Sequence, residues 1–235
     1  MKRTVMVWDW PTRVFHWSLA LAFATAWLTA ESERLRLVHV LCGYSVAGLI
    51  AFRIVWGLVG SRYARFADFL RGPRAVLVYL AGLVRGRPAR DLGHNPAGAV
   101  AIVLLLGLGA ATAVSGFALY QGLAGESFEE VHEALATLMA ALVLVHALAV
   151  IVSSRLHREN LVASMLDGRK AGDPGQSIPH THGVPALALL AALAGLWIWG
   201  LGMAPVDATG RPDLHGEPHR PAQAEHEHDH DDDDD

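Results

Sequence analysis

Cysteine is almost absent from this chain, Cys42 being the single one among 235 residues. That excludes a disulfide framework, a thiolate metal cluster and the C-x-x-C-H signature of covalent haem attachment, so any haem held here is held without covalent bonds. Cys42 lies inside an apolar run and reads as a small packing residue. Acidic side chains are also scarce within the apolar runs, where Glu130 and Glu133, at the start of one run, are the exceptions. The turn before that run holds Glu126, Glu129 and Glu130 and neither lysine nor arginine.

What is present is apolar length. Hydrophobic residues make up 52% of the chain, more than an ordinary soluble domain carries. Five runs approach or exceed the roughly 20 residues that cross a hydrocarbon core: about 12–30, 37–59, 96–119, 130–154 and 184–204. The expected fold is an all-α integral membrane protein, with a four-helix transmembrane bundle, a fifth C-terminal transmembrane helix and a disordered tail rich in histidine and aspartate. The expected division is a membrane domain over 1–170, a linker and fifth helix over 171–204, and the tail over 205–235.

Charge is segregated along the chain. Arg62, Arg65, Arg71, Arg74, Arg85, Arg87 and Arg90 cluster between the second and third runs, Lys2, Arg3 and Arg13 precede or open the first, and Arg155, Arg158, Arg169 and Lys170 follow the fourth. The positive-inside rule makes these segments cytoplasmic, so the expected setting is a bacterial inner membrane, N-terminus inside and tail periplasmic. Lys2, Arg3 and the run to Ala30 also look like a secretory signal, but a run containing His16, Trp17 and Trp27 suits a retained span better. Phe66, Phe69, Leu70, Leu77 and Leu80 recur at helical spacing among arginines over 62–86, as in an interfacial amphipathic helix, with Gly72-Pro73 as its natural break. Asn95-Pro96 is a helix-start signal, and His94 before it is expected at the surface.

Ionisable residues are costly inside a membrane, which singles out His16, His39, His132 and His146. Followed through the topology, His16 and His146 fall toward the cytoplasmic face and His39 and His132 toward the periplasmic one. His132 and His146 are 14 residues apart in sequence, about 21 Å along a helix and about 40° around it, so they share one helix face. Two stacked haems fit that spacing, an inner one between His16 and His146 and an outer one between His39 and His132. An iron with two axial imidazoles has no open position, and its work is one-electron transfer. Gly43 and Ala47 near His39, Ala20 near His16, and Gly107, Gly109 and Gly116 on the third span would leave room for flat macrocycles. Arg53, at the depth of His146, either pairs with a propionate of the inner haem or snorkels to headgroups. The competing reading is a proton- or metal-conducting relay of histidines.

The segments Trp8-Asp9-Trp10-Pro11-Thr12-Arg13-Val14-Phe15-His16-Trp17, Val38-His39, Gly93-His94-Asn95-Pro96-Ala97-Gly98, Val131-His132-Glu133 and His157-Arg158-Glu159-Asn160-Leu161-Val162 together resemble the bacterial cytochrome b561 proteins and the related cytochrome b subunits of nickel-iron hydrogenases, over about residues 5–170. The resemblance implies a four-helix core with two b haems between the first, second and fourth helices, His16, His39, His132 and His146 as ligands, and electron exchange between the quinone pool and a redox partner. That partner would be a hydrogenase, a periplasmic cytochrome c or another oxidoreductase. The expected function is thus a diheme membrane electron carrier, the electron-transfer component of a quinol- or quinone-reactive oxidoreductase. Its other expected partners are the lipid bilayer and, in a homodimer, a second copy, and nucleic acid is not among them. The fifth run and the tail depart from the family pattern. His226, His228 and His230, among acidic residues, form a candidate cation site in the tail, and the alternative function is a metal-ion transporter or sensor. Glu133, His157 and Glu159 are candidate proton-handling residues near the two surfaces.

Overall fold

A computed structural model of the chain describes residues 3–86, 89, 91–123, 125 and 127–204. Lys2, Arg87, Arg90, Glu126 and the whole candidate tail site, His226, His228 and His230, lie outside these described residues.

The architecture is helical, and its long helices begin and end on local chemistry. α1 spans Trp10–Thr29 with Asp9 as its N-cap and Pro11 in its first turn. Asp9 Oδ1 accepts from Thr12 N at 2.9 Å, which satisfies one of the orphan donors of a helix start. α2 runs Arg36–Val59. Two shorter helices follow, α3 over Phe66–Phe69 and α4 over Pro73–Val84, so the amphipathic stretch expected over 62–86 is divided near Gly72-Pro73. α5 covers Pro96–Tyr120, capped as expected by Asn95, whose Oδ1 accepts from Gly98 N at 2.7 Å. α6 is a single 31-residue helix, Ser127–His157, α7 spans Leu161–Asp167, and α8 spans Gly183–Gly202.

Four helical segments among the described residues are long and apolar enough to cross a membrane: Glu33–Val59, which is α2 with the turn before it, then α5, α6 and α8. α1 is not among them, because Trp10, Arg13, His16, Trp17 and Trp27 dilute its apolar residues.

α1 packs along α2, α2 along α5, and α5 along α6. Phe15 of α1, Leu49 of α2 and Leu189 of α8 form one buried cluster, and Ala22, Val46 and Ile50 another. α8 rests on α1 and α2, and Trp197 Nε1 donates to Ser45 Oγ at 3.1 Å. In lipid the gain from such packing is contact and hydrogen bonding rather than water release, which favours small residues at close crossings. Gly109 is one, since a Cβ there would come within 2.9 Å of Ile50 Cδ1.

The fold also contains what the all-α expectation lacked. β1, Arg3–Met6, pairs antiparallel with β2, Arg169–Gly172. The stretch from Asp167 to Pro185, expected to be a plain linker, is folded against the N-terminal segment: Val7 N and Trp8 N donate to Gly168 O, Ile178 N to Met6 O and Trp10 N to Thr181 O. Tyr63 Oη donates to Gln176 O and Lys170 Nζ to Leu92 O. Four distant segments thus form a cap over one end of the bundle, around the buried Val5, Val7 and Trp8, while the opposite end carries the short turn between α1 and α2.

Candidate functional site

His39 and His132, far apart in sequence, face one another near the short-turn end, with ring centres 6.2 Å apart and planes 78° to each other. His39 Nδ1 donates to Ala26 O at 2.9 Å. His132 Nδ1 lies 3.1 Å from Thr112 O and 2.9 Å from Ser115 Oγ. A carbonyl can only accept, so both imidazoles carry their proton on Nδ1 and leave Nε2 as a bare lone pair, the tautomer a metal-ligating histidine requires. Two axial imidazoles on one metal, with bonds of about 2 Å, have ring centres roughly 6 Å apart. The observed spacing fits that arrangement. Gly116 on α5 is part of the seat, because a Cβ there would stand 2.8 Å from His132 Cε1. At Gly43, one turn beyond His39, a Cβ would meet nothing within 4 Å. α5 therefore supplies no histidine yet orients one through Thr112 and Ser115, and the backbone of Ala26 orients the other. Nothing in the sequence pattern singled out these three residues.

Toward the capped end, His16 on α1 and His146 on α6 are near enough to interact electrostatically. His16 Nδ1 is buried without a hydrogen-bond partner. Arg53 on α2 is only 3% exposed. Its guanidinium lies 4.9 Å from the Phe66 ring centre and 5.9 Å from that of Phe69, and both terminal nitrogens are buried without a partner. Asp9, fully buried, gives Arg53 a compensating charge, yet its oxygens are engaged by Thr12 N and by Trp56 Nε1 at 3.0 Å.

The structure corrects the expectation that His94 is a surface residue. Its ring is held between those of Trp8 and Phe69, with centres 4.6 Å away on each side, and its Nδ1 is buried and unpartnered. Burial, reinforced by the charges of Arg53 and Lys170, pushes this imidazole down to about 3, so it is neutral near pH 7. Lys170, counted in the sequence as a cytoplasmic surface charge, is buried in the cap as well.

Between the two histidine pairs, α6 packs along α5, and no comparable packing joins it to α1 or α2 among the described residues. Histidines brought together in pairs, with the unpartnered Arg53 guanidinium buried toward one end, are a set of groups that a flat, metal-centred macrocycle bearing acidic side chains would satisfy. The family model for prokaryotic cytochrome b561 matches residues 7–168. The chain belongs to the prokaryotic cytochrome b561 family.

Membership makes it a membrane b-type cytochrome, with haem b as its cofactor. Among curated proteins it is similar to the "Probable Ni/Fe-hydrogenase 1 B-type cytochrome subunit" of Escherichia coli K12, 26% identical over 140 residues, which are 48% of this chain and 59% of that protein. It is also similar to the "Probable Ni/Fe-hydrogenase B-type cytochrome subunit" of Rhizobium leguminosarum bv. viciae, 23% identical over 72% of this chain and 90% of the relative. The corresponding subunit of Azotobacter vinelandii is 27% identical over 54% of this chain and 64% of its own length. The chain thus spans less than two thirds of the Escherichia coli relative it matches. No solved structure matches this cytochrome.

Proposed function

We propose that this cytochrome carries two non-covalent b haems, each between two histidines, and passes electrons between the quinone pool and a redox partner protein. The observation that carries the reading is the His39–His132 pair, with rings 6.2 Å apart and Nδ1 protons committed to backbone carbonyls. His16 and His146 would hold the second, inner haem, and Arg53 would meet its carboxylates. When bound, the haems supply reversible one-electron storage with no open coordination position for substrate.

The residues determine how that storage is tuned. Ala26 and Thr112 fix the outer imidazoles and strengthen them as donors through their Nδ1–H bonds. Asp9 balances the buried charge of Arg53, and the cap keeps water from the inner pair. His132 and His146 lie on one face of α6, about 21 Å apart along the axis, a spacing that supports two centres in sequence across the bilayer.

The hydrogenase-subunit relatives support a hydrogenase or a comparable oxidoreductase as partner. The proposed setting is the inner membrane, with five spans, α1 included. Arg62, Arg65, Arg71, Arg74, Arg85, Arg155, Arg158 and Arg169 share the capped end, whereas the opposite end balances Glu31 and Glu33 against Arg34 and Arg36 and adds Glu129 and Glu130. This supports a cytoplasmic cap.

The test is a reduced-minus-oxidised spectrum with pyridine haemochrome quantitation on detergent-purified protein. About two b haems per chain are expected in the wild type, with one lost in His132→Ala and one in His146→Ala. Folded protein without haem would overturn the reading and turn attention to metal transport.

A further inference from the structure

We infer that Ser115 is a positioning residue that lowers the potential of the outer centre beneath that of the inner one, so that electrons entering beside His39 and His132 run downhill toward the capped end. The inference rests on the diheme reading and adds to it a residue and a direction.

The His132 imidazole is engaged twice at one nitrogen, its Nδ1 lying 3.1 Å from Thr112 O and 2.9 Å from Ser115 Oγ. The carbonyl can only accept, so Nδ1 carries the proton. The Ser115 hydroxyl already donates its own proton to Thr112 O at 2.9 Å, which leaves an oxygen lone pair for the ring. One N–H is thus shared between two acceptors. A serine in a helix often bonds back to its own preceding turn, and that bond alone requires nothing from a neighbouring helix. Here α6 brings an imidazole onto the same oxygen, and the next residue, Gly116, lacks the Cβ that would stand 2.8 Å from His132 Cε1. Ser115 is buried, which shields the contact from water.

The other rings are engaged less. Among the described residues His39 Nδ1 has one acceptor, Ala26 O at 2.9 Å, and His16 Nδ1 is buried with none. An acceptor on the far nitrogen of a ligating imidazole pushes electron density toward the metal, which favours the oxidised, more positive iron and lowers its potential. A fixed cation acts in the opposite sense. Arg53, 14 residues beyond His39 on α2, stands at the depth of the inner pair, and Asp9 offsets its charge only through space. Both differences therefore place the outer centre below the inner one. The transfer needs no co-reactant: one electron leaves the outer iron, which becomes ferric, and reduces the inner iron to ferrous, with no proton taken up or released.

The experiment is an optical redox titration of the full-length holoprotein in detergent, comparing wild type with Ser115→Ala, Ser115→Cys and Ser115→Thr. His132→Ala, which should keep the inner haem, assigns the two transitions. In the wild type the outer centre should titrate at the lower potential. Ser115→Ala should raise the outer midpoint and narrow the gap, with the inner one unmoved. Ser115→Cys, whose thiol is a weaker acceptor at the same point, should do so by less, and Ser115→Thr, which keeps the hydroxyl, should return the midpoint toward its wild-type value. An outer centre that titrates above the inner one in the wild type would overturn the inference, and so would an outer midpoint unchanged in both Ser115→Ala and Ser115→Cys. Either result leaves the diheme reading intact, and the wild-type order decides even where a variant loses its outer haem. A folded wild type that takes up no haem would overturn both.

Discussion

His39 and His132 are each tied at one nitrogen to a backbone carbonyl, Ala26 O and Thr112 O, and this fixes which nitrogen is offered to a metal. Their depth could be read in the sequence, because an imidazole in an apolar run stands out and helical periodicity gives its height. The partners of their Nδ1 atoms could not, since any residue's carbonyl can serve and only tertiary packing selects it. Gly116 shows the same limit. It reads as one of many glycines in a membrane helix, yet its missing Cβ is what admits the His132 ring, 2.8 Å from where that carbon would be. Gly116→Ala should therefore displace the imidazole and selectively lose the outer haem, leaving about one haem per chain by pyridine haemochrome. Two haems with unchanged potentials would show that the ring has room to shift. His94 was misplaced for a related reason: its polar, proline-containing neighbourhood signals a loop, while the rings that bury it, Trp8 and Phe69, come from elsewhere in the chain.

Among the elements, the long helices were legible because both their signals are local. Apolar runs set their lengths, and Asn95 marks the start of α5, its side chain accepting from a backbone N–H three residues on. The β1–β2 ribbon was not legible, since four-residue strands of mixed polarity carry no periodicity and their pairing joins opposite ends of the domain. Its anchor is the turn at Gly168. This residue ends α7 in the left-handed conformation, φ 81°, and its carbonyl accepts from both Val7 N and Trp8 N. A Cβ there would meet Trp8 O at 2.7 Å. Gly168→Ala should destabilise the cap locally by about 1 kcal/mol or more, seen as faster amide exchange at Met6, Val7 and Trp8. Unchanged protection there would mean that the ribbon is held independently of this turn.

For the whole molecule, α8 is peripheral to the two histidine pairs. It covers α1 and α2 through Leu189 and Trp197 and contributes no residue to either pair. Ending the chain after His182 keeps the Thr181 carbonyl that receives Trp10 N. Such a truncation should retain both haems while lowering the thermal midpoint by several degrees, measured by loss of the reduced b-type spectrum on heating. Loss of a haem would instead give α8 a part in positioning the histidines. The cap has a different consequence, one of timing. Met6 N bonds Ser177 Oγ across 171 residues of chain, and β1 waits for β2, so a polypeptide made from its N-terminus cannot roof this end until all of α6 and α7 exist. The outer pair is complete as soon as His132 emerges. His146 is made later, and the cap that lies over it and His16 later still, so during biosynthesis the capped end is the last part of the bundle to be enclosed, and it closes only when the two termini of the domain meet.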